Sequence, residues 1–227
     1  MFADERVTRI LGILSDSFFP ILKAGLYYTI PLTLITFILG LLLAFFAAVA
    51  RISGVKPLVA LVKFYVWIFR GTPLLVQLFI IFYGLPSINI TLDPLPAAII
   101  VFTLNKGAYS SEIIRAAILS IPKGQWEAAY SIGMTRGQAM RRIILPQAVR
   151  VSIPPLGNSF ISLVKDTSLA ATITVTELFQ KGQQIAAVTY EPLWLYIEVA
   201  FIYLIFSTVL SYLQTKLEIR FERSVAK

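Results

Sequence analysis

The chain of 227 residues contains no cysteine and no histidine. Without thiols there is no disulfide framework and no thiolate chemistry, and without either residue no zinc site is expected. Charge is scarce as well: charged residues make up 14% of the chain against 57% hydrophobic, and the mean hydropathy is +0.79. That balance excludes a disordered chain and an ordinary soluble protein, and it points to a polytopic membrane protein. No G-x-x-x-x-G-K-[ST] phosphate loop occurs, so any ATP that drives this protein binds to another chain. No internal or inverted repeat is visible, no low-complexity tract, and no constellation that would make an enzyme. The opening residues, which include Asp4 and Glu5, do not read as a signal peptide, so the first span is expected to direct insertion itself.

What the chain does have is long apolar runs. At a rise of 1.5 Å per residue, about 20 residues cross the hydrocarbon. Five runs qualify, at about 27–49, 58–85, 95–118, 149–173 and 193–213, and they predict an all-α fold with one transmembrane domain over residues 1–227. Residues 7–20 form a mildly amphipathic stretch expected along the membrane interface. The second run is interrupted by Arg70-Gly71-Thr72-Pro73, where Pro73 is expected to kink the helix. The fourth is the least regular, with Pro154, Pro155, Gly157 and Asn158 before Lys165 and Asp166. A short external helix is expected from Thr176.

The basic residues set a topology. Arg51, Lys56 and Lys63 follow the first run; Arg115, Lys123, Arg136, Arg141, Arg142 and Arg150 surround the third loop; Lys216, Arg220, Arg223 and Lys227 lie in the tail. These thirteen face the opposite side from Arg6, Arg9, Lys23 and Lys181, while Arg70, Lys106 and Lys165 lie at or within the membrane. The positive-inside rule then puts the N-terminus outside and the C-terminus in the cytoplasm. It also accounts for the net charge of +8 without nucleic acid as a partner.

The segment from Gln125 to Pro146 is the one long polar stretch between apolar runs. Gly133 stands where a first short helix should stop, since glycine enters the left-handed conformation without strain. Thr135 with Gln138 three residues on has capping-box spacing, and Pro146 is expected to close the second helix. A compact corner with small residues, Ala128 and Ala129, beside Glu127 suits a groove on another protein, although a solvated linker would have the same spacing.

Polar groups at membrane depth cost several kcal/mol by scales that disagree, and they usually mark a pathway. Asn105 and Glu112 share a helical face with Tyr109 near it, and Lys106 lies at its edge. Lys165 and Asp166 fall where the fourth run loses helical character, a feature tolerated mainly beside a cavity. An amino acid needs an acceptor for its ammonium group, which Asp166 or Glu112 could supply. It also needs donors for its carboxylate, available from backbone N–H groups near Asn158, Ser162 and Ser168 or from Lys106. The structural alternatives are a polar seam between helices and charge neutralisation at a helix break.

Glu127-Ala128-Ala129, Gly133 and Ile143-x-Leu145-Pro146 fill the EAA signature, and the chain thereby resembles the permeases of ATP-binding-cassette (ABC) importers. Phe69-Arg-Gly-Thr-Pro-Leu74, Leu104-Asn-x-x-Ala-Tyr-x-x-Glu112 and Ser159-Phe-Ile-Ser-Leu-Val-Lys-Asp-Thr-Ser-Leu169 are similar to the branch for polar amino acids, and within it most like L-cystine permeases. Lys106 departs from the small or hydroxyl residue expected there, which disfavours a purely cationic substrate. The resemblance implies a type I importer permease fold in a bacterial cell membrane, with the seven signature residues on a cytoplasmic coupling helix. It implies a second permease chain, two cytoplasmic ATPase subunits that bind ATP and Mg, and an extracytoplasmic amino-acid-binding protein; this chain binds no cofactor. Glutamine, glutamate or a basic amino acid is the alternative cargo. An ion-coupled secondary transporter using Lys106, Glu112, Lys165 and Asp166 is the alternative class.

Overall fold

A computed structural model describes residues 2–223, and among these every regular element is a helix. Lys227, one of the tail cations counted above, lies outside the described residues. Helix α1 (Phe2–Ala24) passes through a π-helical turn at Gly25–Thr29 into α2 (Ile30–Ile52). The result is one unbroken helix that ends at Ile52, 48 residues of it from Glu5 on, so the amphipathic stretch at 7–20 is not a separate element. No residue between it and the first span stops the backbone ladder. Pro20 lies within α1, and the π turn begins five residues beyond it.

Helix α3 (Lys56–Gly71) is followed by α4 (Leu74–Phe79), a π turn at Ile80–Gly84 and a 3-10 turn at Leu85–Ile88. Here Pro73 does more than kink the helix. Thr72 is in extended backbone (φ −119°, ψ 146°), and the ladder is broken. The pyrrolidine ring pushes the residue before it out of the α region.

Helix α5 is Pro94–Ser120, α6 Lys123–Ser131 and α7 Arg136–Ala139. After a π turn at Met140–Ile144 comes α8 (Leu145–Asp166), which ends in a 3-10 segment at Thr167–Ile173; α9 (Leu178–Thr189) and α10 (Pro192–Arg223) complete the fold. Pro146 does not close a helix, contrary to its sequence reading. It is the second residue of α8, which continues directly from the π turn. By length and apolarity alone, residues 5–52 and 192–220 can cross a membrane, and the broken pair 56–71 and 74–88 adds a third if it counts as one span. At 27 and 22 residues α5 and α8 are long enough as well, but polar side chains dilute their apolar character.

Packing groups the chain into two units. Unit 1 comprises the residues up to Thr36, Leu75–Val101 and Ile161–Tyr212; unit 2 comprises Phe37–Leu74, Phe102–Phe160 and the residues from Leu213 on. Helices α2, α5, α8 and α10 contribute residues to both. The core of unit 1 joins Ile21, Val164, Leu178, Leu195, Val199, Ile202 and Phe206. Gly182 of α9 lets that helix approach α10 closely, for a Cβ there would lie 2.3 Å from Val199 Cγ2. In unit 2 the buried residues Ala117, Ile118, Ile121, Ile144 and Ala148 form a cluster beneath the polar segment at 125–146.

Candidate functional site

The polar segment folds as a helical corner. Helix α6 ends with Gly133 in the left-handed region at φ +79°. The Gly133 N–H donates to Tyr130 O at 2.9 Å and the Met134 N–H to Ala129 O at 3.1 Å, which is the Schellman pairing. The next helix starts with a reciprocal capping box: Gln138 N donates to Thr135 Oγ1 at 3.3 Å, and Thr135 N donates to Gln138 Oε1 at 2.9 Å. Both devices are local, so the corner is formed by its own residues.

The signature residues divide by exposure. Glu127, Ala128, Gly133 and Pro146 are exposed, while Ala129 is buried and Ile143 and Leu145 are half-buried. Ile143 packs with Trp126 and Met140 against the buried cluster of unit 2. The second set therefore holds the corner in place, and the first set is what another protein could touch. Two further side chains join that outer surface: Tyr130 is 45% exposed and Ile132 is 72% exposed. Sequence reading passed over both, because an apolar side chain in a short helix is ordinarily assigned to a core. A large apolar group on a polar segment is the signal that could have found them.

On α5 the expected face is present, but its members have other occupations. Asn105 is buried, and its Nδ2 donates to Phe69 O at 3.4 Å. Lys106 is buried too, and a Cβ on Gly40 of α2 would lie 3.2 Å from its own Cβ. Tyr109 is 41% exposed, and the Arg70 guanidinium lies 5.3 Å from its ring centroid. Both oxygens of Glu112 are engaged. Arg51 Nη1 donates to Oε1 at 2.7 Å, and Arg115 donates to Oε2 from Nε at 3.0 Å and from Nη2 at 2.7 Å. Glu112 is thus held by two guanidinium groups, a pairing that its sequence reading did not include. The spacing of Glu112 and Arg115, one turn apart, was a visible cue; Arg51, 61 residues away in sequence, was not.

The remaining candidates lie along α8 and just beyond it. Asn158 in unit 2 is exposed, and its Oδ1 accepts from Gln214 Nε2 at 3.2 Å. In unit 1, Ser162 and Lys165 are exposed and Asp166 is half-buried at the last position of the α-helix. Ser168 turns inward along its own chain, its Oγ donating to Lys165 O at 2.7 Å.

Unit 1 also holds two acids that the sequence reading left without a role. Glu177 is fully buried and caps α9, accepting from Gln180 N at 2.8 Å, from Tyr203 Oη at 2.7 Å and from Thr29 Oγ1 at 3.3 Å. Burial pushes its carboxyl above the usual range, and these hydrogen bonds only partly oppose that. Glu198 accepts from Ser17 Oγ at 2.5 Å.

Residues 37–223 match the family model described as "Binding-protein-dependent transport system inner membrane component". The chain is 59% identical to the L-cystine transport system permease protein TcyB of Bacillus subtilis (strain 168) over 216 residues, 95% of this chain and 92% of that one. It is 40% identical to the glutamine transport system permease protein GlnP of Escherichia coli (strain K12) over 205 residues, 88% of this chain and 93% of that one. Among solved structures, one described as an amino acid ABC transporter with histidines aligns with a TM-score of 0.85 at 37% identity, covering 88% of this chain and 94% of that one.

Proposed function

The chain belongs to the family of binding-protein-dependent transport system inner membrane components and is the permease subunit of an amino-acid ABC importer, a transport protein and not an enzyme; we propose that the amino acid it carries is L-cystine. The observation that carries the substrate is the 59% identity to an L-cystine permease over 95% of the chain, against 40% for a glutamine permease.

In this reading the helical corner docks on an ATPase subunit through Glu127, Ala128, Tyr130, Ile132 and Gly133. The ATPase supplies the phosphate loop that this chain lacks, together with ATP and Mg. Two permease chains form the pathway, two ATPase chains lie below them, and an extracytoplasmic binding protein delivers the substrate. The N-terminus lies outside and the C-terminus in the cytoplasm. What supports that orientation is the run of cations Arg136, Arg141 and Arg142 on the same segment as the docking surface. ATP binding biases a two-state equilibrium of the permease through that segment. Asp166 accepts a substrate ammonium group at the end of α8, and backbone N–H groups near Ser162 and Ser168 serve the carboxylate. Lys106 and Glu112 have no part in this contact, since one is buried and the other doubly paired.

The test is uptake of labelled L-cystine by cells expressing this chain with its neighbouring transport genes, with unlabelled amino acids as competitors and one sample depleted of ATP at constant proton gradient. ATP-dependent uptake blocked by cystine is the expected result. Better competition by glutamine, glutamate or arginine would replace the substrate, and uptake that survives ATP depletion would overturn the energy source.

A further inference from the structure

The ion cluster on Glu112 lies against the footing of the helical corner. Arg51 is the next-to-last residue of α2, and Glu112 and Arg115 are on α5. Exposures of 15% for Arg51, 17% for Glu112 and 29% for Arg115 place the cluster partly out of water, where such pairs are worth more than on an open surface. The neighbours of these residues in sequence point the other way. Ile52 and Ile114 pack on the buried cluster of unit 2 together with Trp126, Met140 and Ile143 of the corner. Arg136 at the start of α7 also donates from Nη2 to Ile52 O at 3.4 Å. Residues 51 and 52 thus touch both the corner and the polar face of α5.

The two contacts differ in kind. Apolar packing of Ile52, Trp126 and Ile143 on a shared buried cluster is non-directional and allows side chains to slide. A guanidinium held on a carboxylate oxygen is charge-assisted and directional, so it fixes the register between two helices. Arg51 makes this contact through Nη1 alone, and lysine, a flexible point charge, lacks the planar fork of N–H donors from which it comes.

We propose that Arg51 is a positioning residue for energy coupling: through Glu112 it makes α5 follow the end of α2 when the helical corner is displaced. The motion would then reach Tyr109, one turn before Glu112, with Arg70 over its ring. The proposal rests on the reading of the chain as an ATP-driven amino-acid permease.

The test uses the complete transporter, this chain with its ATPase and binding protein, in proteoliposomes, with labelled L-cystine uptake and ATP hydrolysis measured on the same preparation. Arg51→Gln is expected to assemble and to hydrolyse ATP within about twofold of the unsubstituted complex, while uptake per ATP falls about tenfold. Arg51→Lys, which keeps the charge and loses the fork, should lie between the two. A ratio of uptake to ATP unchanged in Arg51→Gln would overturn the proposal. So would a loss of uptake that merely tracks the loss of assembled complex, which would make Arg51 a structural pin. If Arg51→Gln does not assemble, Arg51→Lys decides, and an unsubstituted ratio in that variant overturns the proposal. Absence of ATP-dependent uptake in the unsubstituted complex would sink the transport reading and this proposal with it; the other outcomes bear on Arg51 alone.

Discussion

Both packing units hold acids away from open water, and they neutralise them by different means. In unit 1, Glu177 and Glu198 are met by hydroxyl groups of Tyr203, Thr29 and Ser17 and by backbone N–H groups, with no ion pair to either acid among the described residues. In unit 2, Glu112 is held by two guanidinium groups and remains partly exposed. Hydroxyl donors on a buried carboxylate make a fixed local scaffold, because a donor that moves away leaves an unsatisfied group behind. A charge-assisted, directional pair between two helices can instead move as a unit with the helices that it joins. The difference assigns rigidity to the set of contacts around α9 and mobility to the set around the helical corner.

The largest expected effect tests the mobile side. Gly133 sits at φ +79°, and nothing lies within 4 Å of where its Cβ would be. A Cβ there meets no clash, and the main fold cost of Gly133→Val is the left-handed conformation, about 1–2 kcal/mol or more for a β-branched side chain. Uptake should be nearly abolished while the protein still reaches the membrane. Normal uptake at normal protein level would remove the corner from the coupling path and with it the contrast between the units.

A smaller effect tests the rigid side. Glu177→Ala removes the cap of α9 and strands the Tyr203 hydroxyl, for a loss of about 2–3 kcal/mol. Thermal unfolding in detergent should show a clear fall in Tm, and ATP hydrolysis per remaining folded complex should be unchanged. A change in coupling without a change in Tm would move Glu177 to the mobile set.

The smallest effect is in the pH dependence. A carboxyl whose folded value is raised binds its proton more tightly folded than unfolded, so its ionisation costs stability. That penalty is absent below the ordinary carboxyl value of about 4.3 and develops as pH rises through the raised folded value. For Glu177, stability should therefore fall over that window, and Glu177→Gln, which cannot ionise, should flatten the slope. An equal slope in both proteins would mean that the carboxylate is satisfied by its donors at no net cost.

Much of this was legible in the chain itself. The apolar runs, the Schellman glycine and the capping box are local codes, each written in residues within a turn or two of one another. Glu112 with Arg115 belongs to the same class. The prolines were less legible. Pro73 and Pro146 carry the same backbone defect, yet a helix breaks before the first and runs on through the second, as others run on through Pro20, Pro154 and Pro155. Whether a ladder can absorb a missing N–H depends on its neighbours and not on the proline.

By itself, then, the sequence determined a helical membrane chain of this family and the form of its helical corner, since composition, periodicity and capping act over short distances along the chain. Only the tertiary structure decided which acids are occupied. Arg51 reaches Glu112 across 61 residues, and Tyr203 reaches Glu177 across 26. Such pairings depend on which helix faces come together, and that is set by packing of whole faces at positions such as Gly182, where one Cβ would hold two helices apart.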